Sequence, residues 1–132
     1  MSTLKVTNIQ DTGGGHSSTS SQIYDGRAKA WCNADLTGAG SIRSSYNVNS
    51  LSDGGQGRWT FNFSTAMSDT NYAALGSSKA NVDIVNYTWI HPNPNGTYST
   101  TAVKFGCANG SGGLVDPLTM NIVVFSNTSD GL

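Results

Sequence analysis

The chain has 132 residues, a net charge of −1 and only 11% charged residues. This length suits one domain with a single core. The charge balance provides no basic stripe for nucleic acid, and no apolar run approaches the roughly 18 residues of a membrane span. All eight acids are Asp, no Glu occurs, and 61 residues are Ser, Thr, Asn or Gly. Because exposed helix faces are rich in Glu, Lys and Arg, this composition predicts a turn-rich β protein.

The N-terminal region begins with a short extended segment, residues 4–10, followed by a Gly/Ser-rich stretch at 11–21 that is typical of a linker. A strand this short cannot fold alone, so it must dock on a partner protein or on copies of itself. Residues 1–26 are therefore predicted to form an attachment and trimerisation segment with a linker. Its apolar residues Leu4, Val6 and Ile9 would make the contacts with the partner protein or with the other copies. No helix longer than a turn is expected anywhere in the chain.

Residues 27–132 show the period-two alternation of strands separated by turn signals, and predict one β domain. The clearest strand places Trp59, Phe61 and Phe63 on one face, where three large rings would form the core. About seven strands favour an antiparallel β-sandwich, with a small barrel as the alternative. The predicted strands cover residues 28–34, 42–48, 58–63, 72–77, 82–90, 97–105 and 120–125. The last of these is apolar on both faces, so we expect it to be buried on both, centrally or at a subunit contact.

Catalytic chemistry is not indicated by the sequence. His16 and His91 lack the spacing of a metal site, the Asp residues lie mostly in turns, and the glycine runs are not followed by the Lys-Ser/Thr of a phosphate loop. We predict no catalytic residues, no metal and no cofactor, and hence no enzymatic activity. Cys32 and Cys107 are expected to be reduced and buried, because no secretion signal is apparent and a reducing cytoplasm disfavours a disulfide.

A ligand site is predicted on two exposed loops, the Ile90–Thr97 hairpin tip and the Asn109–Leu114 loop, since function concentrates on loops held by a rigid scaffold. Aromatic rings would stack on sugars, and amides would bond their hydroxyls. The candidate residues are Trp89, His91, Asn93, Asn95, Tyr98 and Asn109. Two alternatives stay open: the rings, including Trp31, fill the core or a subunit interface, and the Pro and Asn-Gly residues merely close a hairpin.

Four segments resemble fibre-like structural proteins of tailed bacteriophages, especially those that infect cyanobacteria. They are Leu4–Gly13 (LKVTNIQDTG), Gly26–Trp31 (GRAKAW), Ser41–Val48 (SIRSSYNV) and Gly57–Ala73 (GRWTFNFSTAMSDTNYA). The resemblance covers most of residues 4–77. Beyond about residue 80 the chain is similar to these proteins only in its general character. Cys32 departs from the plain apolar residue expected there, which is compatible with burial.

The resemblance implies a virion structural protein, usually a homotrimer, attached through its N-terminal segment to other virion proteins, with a β domain that projects outward. The expected function is therefore a trimeric tail fibre or fibre tip that contacts host surface polysaccharide. The alternatives are a capsid-decorating head fibre or cement protein and a free-standing carbohydrate-binding lectin module. The expected location is the virion surface, on the tail or capsid.

Overall fold

The computed structural model describes residues 2–79, 89–92 and 98–126, the second range through its backbone alone. These residues form ten strands and one short helix. Their bounds are β1 Asn8–Gln10, β2 Ser17–Thr19, α1 Ser20–Gly26, β3 Ala30–Asp35, β4 Ser41–Tyr46, β5 Val48–Asp53, β6 Arg58–Phe63, β7 Ala73–Lys79, β8 Trp89–Pro92, β9 Ala102–Ala108 and β10 Thr119–Phe125.

Eight of these strands form two antiparallel four-stranded sheets, ordered β4-β3-β10-β7 and β5-β6-β9-β8. Hereafter they are the first and the second sheet. One buried cluster contains residues of both, including Cys32 and Ile122 of the first and Phe61 and Phe105 of the second. The predicted antiparallel β-sandwich is thus confirmed.

Alternation along β6 determines the core, as the sequence predicts. Trp59, Phe61 and Phe63 are buried, whereas Arg58 is exposed at the start of the strand. The Phe61 ring meets Phe105 edge-on, with ring centroids 5.9 Å apart. Edge-to-face contacts of this kind add about 0.5–1.5 kcal/mol beyond the area that the rings bury.

The stretch predicted as one strand over residues 42–48 is two strands, β4 and β5, which belong to different sheets. Asn47 separates them in the left-handed region, at φ 54°. Its side chain holds the bend, since Nδ2 donates to Lys29 O and Thr65 O while Oδ1 accepts from Thr65 N at 2.7 Å. Asn tolerates this conformation better than most residues. The extra strand explains why the described residues contribute eight strands to the two sheets, whereas the sequence predicts about seven.

The terminal strand β10 lies centrally between β3 and β7, which is one of the two positions that the sequence predicts. Only its inner face is buried, through Met120, Ile122 and Val124. On the other face Val123 is half-buried and Phe125 is exposed, so the prediction that both faces are buried is wrong for the single chain. Among the described residues, the outer face of the first sheet thus carries apolar side chains that are partly exposed.

The N-terminal region contains more regular structure than its composition predicts. Strands β1 and β2 pair as a hairpin, and α1 follows directly. The helix has seven residues, about two turns, so the expectation of no helix longer than a turn is wrong. Thr19 and Gln22 form a capping box, in which each side chain accepts a hydrogen bond from the other residue's backbone N–H.

Lys29 joins this region to the sandwich. The alternation predicts that its side chain faces solvent, yet the residue is fully buried. Its Nζ donates to Tyr24 O at 2.6 Å and lies 3.4 Å from the centroid of the Tyr24 ring. A carbonyl and an aromatic face together offset part of the loss of hydration of the ammonium group.

Two further strands differ from their predicted bounds. The strand predicted over residues 97–105 begins later, at Ala102, because a turn at Ser99 precedes it and Ser99 N donates to Ala102 O. Of the strand predicted over 82–90, residues 82–88 lie outside the described part of the chain, and β8 covers Trp89–Pro92.

Two glycines in the turn between β3 and β4 provide a matched test of the core. Gly40 and Gly38 both have positive φ, at 71° and 61°, but a Cβ on Gly40 would lie 2.5 Å from the Trp59 ring, and a Cβ on Gly38 meets nothing within 4 Å. The Trp59 ring has little room to move, because its Nε1 donates to Asp116 Oδ1 at 2.9 Å.

We expect Gly40→Ala to destabilise the protein by about 1–3 kcal/mol more than Gly38→Ala, since overpacking adds to the backbone strain that both share. Urea denaturation followed by Trp fluorescence measures the difference. Equal losses of stability in the two variants would contradict the prediction, because they would show that the Trp59 ring moves away from the new methyl group at no cost in free energy.

Candidate functional site

The predicted loop site is only partly within the described chain. Trp89 and His91 lie in β8, where they pair with Ala108 and Gly106 of β9. Asn93 and Asn95 lie outside the described residues. The role of these four residues in ligand binding stays a prediction.

Tyr98 and Asn109, the other two candidates, take part in internal contacts. The half-buried Tyr98 ring packs edge-on against Tyr72, with centroids 5.0 Å apart, and burial raises the pKa of Tyr72 to about 12. Asn109 Oδ1 accepts hydrogen bonds from Ser111 N and Gly113 N and so closes its own loop. The structure therefore gives Asn109 the turn-forming role that Asn commonly has.

Exposed apolar side chains mark the N-terminal region. Leu4 is 85% exposed, and the predicted contact residues Val6 and Ile9 are exposed as well. Val6 and Ile9 line a cleft of about 230 Å³ together with Ser20, Ile23, Tyr24 and Arg27. Ile23 of α1, which the sequence analysis did not select, thus extends the apolar surface of β1. We call residues 4–27 with this cleft the N-terminal unit.

A second apolar surface crosses the outer face of the first sheet. Tyr46 pairs with Trp31, Trp31 with Val123, and Val123 with Leu75, so one side chain from each of the four strands lies in a single row. Tyr46 is 40% exposed, Trp31 39% and Leu75 55%, with Val123 half-buried between them. We call these four residues the apolar row.

A polar ladder runs beside the apolar row, two residues further along each strand. It consists of Ser44, Asn33, Asn121 and Ser77, which again pair across the four strands. Asn33 Nδ2 donates to Asn121 Oδ1 at 2.6 Å, and Asn121 Nδ2 donates to Ser77 Oγ at 3.3 Å. These bonds fix the orientation of the two amide planes on the sheet surface.

The far end of the same face carries an ion pair. Arg43 Nη2 donates to Asp35 Oδ2 at 2.8 Å, and Nη1 donates to Thr119 Oγ1 at 2.7 Å. The hydroxyl and backbone N–H of Thr37, together with the Arg43 charge, lower the pKa of Asp35. The outer face therefore changes from apolar through neutral polar to charged along the strands.

The second sheet presents a different outer face. In its described side chains, those of β5, β6 and β9, the outward positions are polar or small, and none is an exposed ring. Asn62 also bridges strands there, donating to Ser50 Oγ and Ser52 Oγ. The combination of exposed rings and bridged amides is thus particular to the first sheet within the described part of the chain.

Histidine, aspartate and cysteine side chains are catalytic groups in many enzymes. The ones described next form a turn contact or are buried in the core. His16 Nδ1 and Asp11 Oδ2 lie 3.1 Å apart at the exposed turn of the N-terminal hairpin, and hydrogen bonds from His16 lower the pKa of Asp11. Cys32 and Cys107 are free and buried, as the sequence predicts. Burial raises the pKa of Cys32 to about 11 and raises that of Cys107 as well.

Comparison with protein-family models, with curated protein sequences and with solved structures gave no match. Within the described residues, no helix has the length and apolar character of a membrane span.

Both thiols should resist alkylation in the native protein, because a raised pKa leaves almost no thiolate at pH 8 and burial blocks access. We expect iodoacetamide to modify neither cysteine in buffer at pH 8 and both in denaturant, as mass spectrometry of the intact chain would show. Rapid native modification of Cys32, on the inner face of β3, would contradict the described core.

Proposed function

We propose that this chain is a non-enzymatic structural protein of a tailed-phage virion, a trimeric tail fibre or fibre tip. Its N-terminal unit attaches to other virion proteins and its β-sandwich projects outward. The four segments that resemble phage fibre proteins support this role, and so does the antiparallel β-sandwich.

The exposed apolar surface of the N-terminal unit is the observation that supports the proposal most directly. Val6, Ile9 and Ile23 lie beside one another around the cleft, outside the buried cluster of the sandwich. A hairpin of two three-residue strands and a two-turn helix are too small to bury these side chains themselves. Contiguous exposed apolar surface of this kind typically marks an interaction site.

Three copies meeting through this unit would bury the clefts against one another. Three-fold rotational symmetry repeats the same contact between each pair of neighbouring subunits, so the ring closes with three identical contacts. Leu4, which precedes the cleft and is largely exposed, supplies an apolar side chain for a neighbour. The remaining exposed residues of the unit would contact other virion proteins.

Two alternatives remain within the same class of non-enzymatic surface proteins. A head fibre or cement protein would use the same N-terminal attachment on a capsid. A free-standing lectin is favoured by the outer face of the first sheet, where exposed rings lie beside oriented amides. The site of attachment distinguishes all three.

The trimer is tested by placing charge in the cleft. We expect Ile9→Asp or Ile23→Asp to convert a species of three times 13.8 kDa into a monomer, because three carboxylates would be buried together. Light scattering after size-exclusion chromatography measures the mass. Asn8→Asp and Ser21→Asp, which add the same charge at neighbouring exposed positions, should leave the trimer intact. A wild-type monomer at micromolar concentration would exclude the proposed assembly.

The virion role is tested on phage particles that encode the chain. Gold-labelled antibodies against the β-sandwich should decorate purified particles at the tail, and cryo-electron microscopy should place the density there. Labelling of the capsid would favour the head-fibre alternative. Particles that lack the protein altogether would refute the virion role.

A further inference from the structure

We infer that the outer face of the first sheet is a binding platform for a neutral oligosaccharide, with Trp31 and Tyr46 as the stacking surface and Asn33 and Asn121 as the hydrogen-bonding groups. This inference rests on the proposed function, for which it specifies the part of the sandwich that meets the host. It places the site away from the loops at Ile90–Thr97 and Asn109–Leu114.

The first argument is the chemistry of the two parallel rows. Pyranose rings have an apolar face bounded by hydroxyl groups, and a ligand of this kind needs an apolar surface beside hydrogen-bonding groups. Trp31 and Asn33 both lie on the outward face of β3, so a ring and an amide are two residues apart along one strand. Val123 and Asn121 repeat this apolar and polar pair on the adjacent strand β10.

The second argument is the orientation of the amides. Within the described structure Asn33 uses one amide hydrogen, and Asn121 uses one amide hydrogen and its oxygen. Each residue keeps a second amide hydrogen, and Asn33 keeps its oxygen, for a ligand outside the chain. Because the cross-strand bonds already fix both side chains, little rotamer entropy remains to be lost on binding.

The third argument is the size of the apolar row together with its polar border. An aromatic side chain buries about 150–250 Å² in total, so Trp31 and Tyr46 retain roughly 60–100 Å² each at their observed exposure. Together with Leu75 and Phe125 the exposed apolar area is a few hundred Å², which is the size of a typical functional patch on a protein surface. Covering the ladder with protein would bury its unused amide groups at a penalty.

The charges of the face favour an uncharged ligand. Arg43 is paired with Asp35 at the end of the face remote from the apolar row, and Lys79 lies at the same end on the edge strand β7. No charged side chain lies in the apolar row or the polar ladder. A charged ligand would find no opposite charge in the row or the ladder, whereas a neutral glycan needs none.

The test uses the full-length wild-type chain on a printed array of neutral tri- and tetrasaccharides made of hexoses, N-acetylhexosamines and 6-deoxyhexoses. The strongest array ligand is then titrated calorimetrically into wild type and variants. We expect Trp31→Ala and Asn121→Ala each to weaken binding about tenfold or more, with Trp31→Phe retaining most of the affinity.

Asn62→Ala is the matched control, since it removes a strand-bridging amide from the outer face of the second sheet, and it should bind as wild type does. Circular dichroism melts verify that each variant is folded.

Three results would overturn the inference. The wild-type chain binds no glycan on the array; Trp31→Ala binds as tightly as wild type; or Trp31→Ala lowers the oligomeric mass, which would make the face a contact between copies. None of these refutes the virion role, which fails only if the protein is missing from phage particles.

Discussion

The fit between the large rings of β6 and the small side chains of β3 determines the rest of the sandwich. Facing sheets lie about 10 Å apart, and Trp59, Phe61 and Phe63 fill much of that space. The inner face of β3 is correspondingly small, with Ala30, Cys32 and Ala34 in the same buried cluster. Because strand side chains alternate with a period of two, this inner pattern also determines which residues of β3 face outward. Trp31 and Asn33 therefore face outward, Trp31 exposed and Asn33 half-buried, as a consequence of how the core is packed.

The sequence predicts those parts of the fold in which neighbouring residues form a recognisable pattern, and it does not predict the others. The alternation of apolar and polar residues along β6 is continuous, so that strand and its buried face were predicted correctly. The break at Asn47 has no such pattern, because Asn is common in exposed strands and turns alike in this chain. The helix α1 was missed for a compositional reason, since Ser and Gly dominate its surroundings. Its capping box, Thr19 with Gln22 three residues later, was the available signal.

The outer face of the first sheet was less predictable than the core. Its apolar row combines residues from four strands separated by up to 92 positions, from Trp31 to Val123, and only strand order and register bring them into line. The sequence did indicate that Trp31 faces away from Ala30 and that β10 is apolar on both sides. What it lacked was the pairing of β3 with β10 and of β10 with β7. Loop positions are visible in a sequence, which is why the predicted site was placed on loops.

The link between the N-terminal unit and the sandwich connects the proposed assembly with the proposed recognition. Lys29 is fully buried at the start of β3 and bonds Tyr24 of α1, two residues before Trp31. A buried ammonium group loses much of its hydration, so separating it from Tyr24 while it stays buried would be unfavourable. The orientation of α1 is thereby coupled to the strand that carries the stacking ring. Single hydrogen bonds to sugar hydroxyls contribute on the order of 1 kcal/mol, so useful affinity requires several platforms held together. In the proposed trimer, subunits that hold their N-terminal helices and outer faces in one fixed relation would present three such platforms at a defined spacing.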